Sequence, residues 1–207
     1  AADRPTSIEL PRNSKFTTSL NDISYTFRTR EKYIATPSSA GVYIFKTSEG
    51  SSDVPVYEGI EKTKTFFVGE TTDSQIYVIP DLTIDTTTIR IQVFDTSVSP
   101  TFTTYTNINK ATRITSTSTH YQIKEVPNGY YEIIFGDGTS TGLAPIAGNK
   151  IVIDYLSTVG PEANGSSVFS TDVQVEGANL EVVTSAPAAG GSFREGIESI
   201  RQNAPLY

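Results

Sequence analysis

The sequence predicts a mainly β chain: two small β-sheet or sandwich-like units followed by a short C-terminal α-helix. Three observations predict it. Short runs rich in Val, Ile, Tyr, Phe and Thr recur along the chain, separated by Gly, Pro, Asn, Asp and Ser. Apolar and polar residues alternate with a period of two, as in TIRIQVF (88–94), where Ile89, Ile91 and Val93 share one face and Arg90 and Gln92 the other. One stretch near the C-terminus carries helical spacing together with a capping signal.

In chain order, SIEL (7–10), SYTF (24–27), GVYIFK (41–46), VPVYEGI (54–60), KTFFVG (64–69) and QIYVI (75–79) are strands of a first β unit, residues 1–80. A second unit, residues 81–167, is entered at IPDL and left near PEANGSS; its strands are TIRIQVF, HYQIKEV (120–126), YYEIIF (130–135) and KIVIDYL (150–156). DVQVEG (172–177) and LEVV (180–183) are strand-like again, so residues 168–190 are expected to return to the first unit and complete it. Residues 191–207 begin a helical region. In GGSFREGIESIRQNAP, Ser192 stands at an N-cap with Glu195 three residues later, a capping box. Phe193, Ile197 and Ile200 then form one narrow apolar stripe, and Pro205 marks the end. A helix of about three turns is marginal alone, so the stripe needs a surface, either in its own chain or on a partner.

Composition narrows the functional classes. The 207 residues are 37% hydrophobic and 19% charged, enough apolar material for a core. A net charge of −7 with no basic patch argues against a nucleic-acid partner. Apolar runs such as IVIDYL (151–156) are far too short to span a bilayer, so no membrane insertion is expected. The absence of Cys removes disulfides, thiolate nucleophiles and Cys-based metal sites. There is no Met either, not even an initiator, and the chain is expected to be a piece of a longer protein.

The stretch GYYEIIFGDGTSTG (129–142) raises the choice between a ligand loop and a turn. Gly136, Gly138 and Gly142 miss the G-x-G-x-x-G spacing of a dinucleotide loop, and LAPIAGNK cannot continue as a helix. A calcium loop needs alternating carboxylates, whereas Asp137 is the one carboxylate between Gly136 and Gly148. Asp137-Gly138 is instead a strong hairpin signal, so Gly136, Asp137 and Gly138 are expected to turn the chain. Asn164 and Gly165 are read as a second turn, although NGS also matches a glycosylation acceptor.

Catalytic constellations are weak. His120, the one His, has no Gly-x-Ser-x-Gly elbow to serve and is read as the start of a strand. Asp81 with Asp85, or Asp137 with Asp154, could form a carboxylate pair, but surface-loop roles explain them better, and there is no Trp platform for a sugar. No enzyme activity, cofactor or metal is expected. The profile suits assembly or adhesion. The rival to assembly is a bacterial surface adhesin or carbohydrate-binding β domain, some of which carry Lys–Asn or Lys–Asp isopeptide crosslinks.

The succession IPDLTIDTTTIRIQVFDT, STHYQIKEVPNGYYEIIFGDGTSTGLAPIAGNKIVIDYLSTVGPEANG and GGSFREGIESIRQNAP resembles the wedge proteins of contractile-tail phage baseplates. This is the baseplate-J-like family, and the likeness is greatest to its long T-even-type wedge subunits. The resemblance implies a non-enzymatic structural protein of the virion tail baseplate, assembled in the bacterial host cytoplasm. It implies an inner-ring subunit that surrounds the hub and takes part in contraction-linked rearrangement. It also implies a homo-oligomer, dimeric in the parent protein, that contacts other wedge proteins; the piece alone could be monomeric.

Overall fold

The structure, a computed structural model, describes residues 4–70 and 76–194 of the chain. It divides into two units, Ala1–Ile60 with Thr158–Tyr207, and Glu61–Ser157. Among the described residues the secondary structure is strands with two single turns of 3-10 helix.

The discontinuous unit holds small sheets. β1 (Ile8–Leu10) pairs antiparallel with β4 (Tyr33–Ala35). β2 (Lys15–Leu20), β3 (Ile23–Arg28) and β5 (Tyr57–Glu58) form a three-stranded sheet. The β2–β3 hairpin closes through Asn21 and Asp22, both at positive φ, with Leu20 opposite Ile23. That is the primed two-residue turn whose twist matches its strands. After Thr158 the chain returns here: Thr17 and Ser170 exchange backbone hydrogen bonds of 2.8 and 2.9 Å, and Phe169 packs edge-on against Phe27 at 4.9 Å. Leu10, Phe16, Tyr25, Phe27, Tyr33, Ala163 and Val175 make the core.

The inserted unit is one seven-stranded sheet. Its strands are β6 (Ile60–Phe67), β7 (Ile76–Ile79), β8 (Ile84–Phe94), β9 (Phe102–Asn107), β10 (His120–Glu125), β11 (Tyr131–Phe135) and β12 (Lys150–Ser157). The order is β6-β12-β8-β9-β10-β11-β7, antiparallel throughout the described ladders except for the parallel pair β9–β10. That parallel pair needs a crossover, supplied by residues 108–119 with a 3-10 turn at Ile108–Lys110. The two edge strands bring Phe66 and Tyr77 to 5.2 Å, so the sheet nearly closes on itself. Ile79, Ile91, Ile133, Ile151 and Ile153, all 0% exposed, fill the interior with Tyr105 and Phe135, whose rings meet edge-on at 5.1 Å. Each such aliphatic side chain contributes about 1.5–3 kcal/mol by leaving water.

Several expectations change. β6 and β7 belong by hydrogen bonding to the seven-stranded sheet, so the division falls at Ile60/Glu61 and Ser157/Thr158 instead of at 80/81 and 167/168. GVYIFK and LEVV form no strand ladder, apart from a single bridge between Pro37 and Tyr43. The FGDG segment is not a hairpin: β11 pairs with β10 and β7, whereas the strand that follows, β12, pairs with β8. Of the expected C-terminal helix, Ser192 and Phe193 are described and are not helical; Glu195, Ile197 and Ile200 lie outside the described residues. β13 (Gln174–Val175) and β14 (Ala178–Asn179) form a minimal hairpin within DVQVEGAN.

Candidate functional site

The loop after β11 turns upon its own carboxylate. Asp137 Oδ1 accepts the N–H groups of Thr139, Ser140 and Thr141 at 2.8, 2.7 and 2.9 Å, and Oδ2 accepts the Ser140 hydroxyl at 2.7 Å. The Thr141 N–H, the Ser140 hydroxyl, and the Ser140 and Thr139 N–H groups hold this carboxyl well below the usual carboxylate range. Gly138 has φ +74° and donates its N–H to the Gly142 carbonyl at 2.8 Å. A Cβ on Gly136 would run into the backbone of Gly142, and one on Gly142 would sit 2.6 Å from the Ser118 carbonyl oxygen. Leu143 then donates to that same Ser118 oxygen at 2.8 Å. The loop is thus stitched to the turn of TSTST, whose Ser118 N–H bonds to Thr115 O at 3.1 Å. Its carboxylate is consumed by the loop that carries it.

The other acids are likewise held apart by their own neighbours. Asp81 Oδ2 accepts Lys62 Nζ at 2.8 Å, while Oδ1 accepts the Thr83 N–H and hydroxyl at 2.9 and 2.7 Å. Asp85 is bonded by Thr87, through its N–H at 2.9 Å and its hydroxyl at 2.7 Å. DTTTI is not a surface turn but a break in a ladder: Arg90 opposes Asp154 and Asp85 opposes Leu156. At this bulge Thr88 accepts the Leu156 N–H at 3.0 Å and donates to the Asp85 carbonyl at 2.7 Å, which satisfies buried backbone groups. Asp154 Oδ1 accepts the Thr63 hydroxyl at 2.7 Å. His120 opens β10, with Nδ1 2.9 Å from Thr106 Oγ1. Among the described residues no three His, Cys, Asp or Glu side chains are grouped to hold a metal ion.

Asp81 carries a pH prediction. Burial opposes its ionisation, but the Lys62 and Thr83 hydrogen bonds outweigh that, and its pKa falls from 3.8 to about 2. Because the folded carboxyl titrates below the unfolded one, its stabilisation is present above about pH 4 and is lost as pH falls toward 2. Lys62 is half-exposed and screened, which limits the effect to about 1 kcal/mol. Asp81→Asn is expected to lower stability by that amount at neutral pH and to remove this part of the acid-limb loss; thermal melts of both proteins across acid pH check it.

Asn164-Gly165 is a turn of the second type, with φ −62°, ψ 139° at Asn164 and φ +89° at Gly165. Only the glycine needs positive φ. The Asn164 side chain clamps a second segment, donating Nδ2–H to the Gly191 carbonyl at 2.8 Å and accepting the Gly191 N–H at 3.0 Å. Beside it, Gly165 and Ala188 share a 2.8 Å backbone bond. Asn164→Ala is expected to cost the discontinuous unit about 1 kcal/mol and to speed amide exchange at Gly191. Unchanged exchange there would refute the clamp.

The discontinuous unit also carries an open apolar groove of about 770 Å³, lined among others by Phe16, Phe45, Val54, Phe169, Leu180 and Val182. Asp53 and Glu181 are the charged residues of its lining. Sequence reasoning recognised two of its walls as strand-like runs but had no signal that they would stand apart.

No protein-family model matches the chain. Over 110 residues, 42% of this chain, it is 36% identical to "Baseplate wedge protein gp6" of Enterobacteria phage T4, and the match spans 16% of that relative's length. Part of the chain is therefore similar to part of a phage baseplate wedge protein.

Proposed function

We propose that the chain is a non-enzymatic structural component of a contractile-tail phage baseplate, a wedge or inner-ring subunit of the baseplate-J-like kind. The observation that carries this reading is the 36% identity to a baseplate wedge protein over 110 residues. The local engagement of Asp81, Asp85, Asp137 and Asp154 supports a structural reading over a catalytic one. In this role the chain assembles with other wedge proteins around the hub, as a dimer in its parent protein, and moves with the ring when the sheath contracts. Mass spectrometry of purified phage particles, separated into tails and heads, tests it. Peptides of this chain are expected in the tail fraction at the stoichiometry of the other baseplate proteins. Their absence from particles would remove the proposal.

A further inference from the structure

The runs GVYIFK and LEVV have the composition and alternation of strands, and their side chains alternate between half-buried and exposed up to the bend at Ser185 and Ala186. Tyr43 and Phe45 are half-buried while Val42 and Ile44 are exposed; Leu180, Val182 and Thr184 are half-buried while Glu181, Val183 and Ser185 are exposed. Yet among the described residues, no backbone N–H or C=O from Leu180 to Pro187 has a hydrogen-bond partner. An extended, strand-type segment with an open ladder edge is a template for another strand. The segment walls the apolar groove, so an added strand would gain backbone bonds from 180–184, ahead of the bend at Ser185 and Ala186, and seat alternate side chains in the cavity. The wall Val54–Val56 is a poorer template, because Pro55 has no N–H to give.

We infer that the groove of the discontinuous unit binds an extended peptide segment of a partner protein by strand addition along residues 180–184, and that this segment alternates apolar with basic residues. The apolar demand comes from the lining, and the basic one from Asp53 and Glu181, whose carboxylates have no ion-pair partner among the described residues. A second copy of this chain is a poor electrostatic match, since each copy carries −7. The groove's chemistry does not depend on where the chain resides, so failure of the baseplate reading and failure of this one are separable.

The test is hydrogen exchange on the whole chain with a capped peptide of alternating lysine and valine, long enough to span 180–184. Exchange at the 181–185 amides is expected to slow by about tenfold or more at saturation. Glu181→Lys is expected to weaken the peptide about five- to tenfold without moving the melting temperature. Val183→Pro removes an N–H that has no hydrogen-bond partner among the described residues, and should abolish protection while leaving the fold intact. A version of the peptide N-methylated at alternate residues should not protect. Protection of 181–185 in the isolated dilute chain, or protection that grows with protein concentration alone, would overturn the inference; the second result would assign the groove to another copy. Equal binding of a glutamate-valine peptide would overturn it as well, as would no change at 181–185 at any lysine-valine concentration.

Discussion

Ile153→Ala is expected to destabilise the inserted unit by about 3–4 kcal/mol, the cost of removing a fully buried aliphatic side chain from an interior that cannot collapse onto the gap. Ile153 stands opposite Ile91 in the β12–β8 ladder and belongs to the same buried cluster as Ile133, Ile151 and Tyr105. The melting temperature of this unit should fall by about 15 °C. The discontinuous unit has its own core around Phe16, Tyr25 and Phe27, so amide exchange in β2 and β3 should keep its original rate under native conditions. Hydrogen exchange resolved by segment separates the outcomes. Equal acceleration in β3 and β12 would show a shared core and contradict the division into two units.

Gly136→Ala is expected to cost about 2–3 kcal/mol, although Gly136 does not have positive φ. The added methyl would meet the backbone of Gly142, which is itself fixed against Ser118, so no flexible side chain can swing away. Gly138→Ala supplies the control. Its φ of +74° makes the substitution strained, but a Cβ there meets nothing within 4 Å, so about 1 kcal/mol is expected. Thermal melts rank the two, and loss of Leu143 amide protection should accompany only the first. If Gly136→Ala is no worse than Gly138→Ala, the close approach of the two loop ends is not what holds the segment.

The strands with clear alternation were legible in the sequence. TIRIQVF, YYEIIF and KIVIDYL all appear as strands, because a period of two with one buried face leaves few other conformations. KFTTSL and FTTYTN are less legible: consecutive Thr residues, Thr17–Thr18 and Thr103–Thr104, blur the contrast between faces, and the Asn21-Asp22 turn between β2 and β3 lacks the glycine of the strongest hairpin dipeptides. Pairing was illegible. KTFFVG and QIYVI read correctly as strands, yet the partners that place them in the inserted unit are more than fifty residues away, and nothing local names them. The FGDG segment shows the same limit: Asp137-Gly138 specifies a turn, but the direction of the chain beyond it is set by β12 pairing with β8. For the candidate site, the Asn164-Gly165 turn was visible as a dipeptide, while its clamp on Gly191 depends on folding. The open groove was hidden because local propensity marks a strand without saying whether it has a neighbour.

The proposed baseplate role is tested most directly by electron microscopy of phage particles labelled with gold-conjugated antibody raised against this chain. The account predicts label confined to the end of the contractile tail, at the baseplate, in both extended and contracted particles. Label on the bacterial surface, at fibre tips or on the capsid would contradict it.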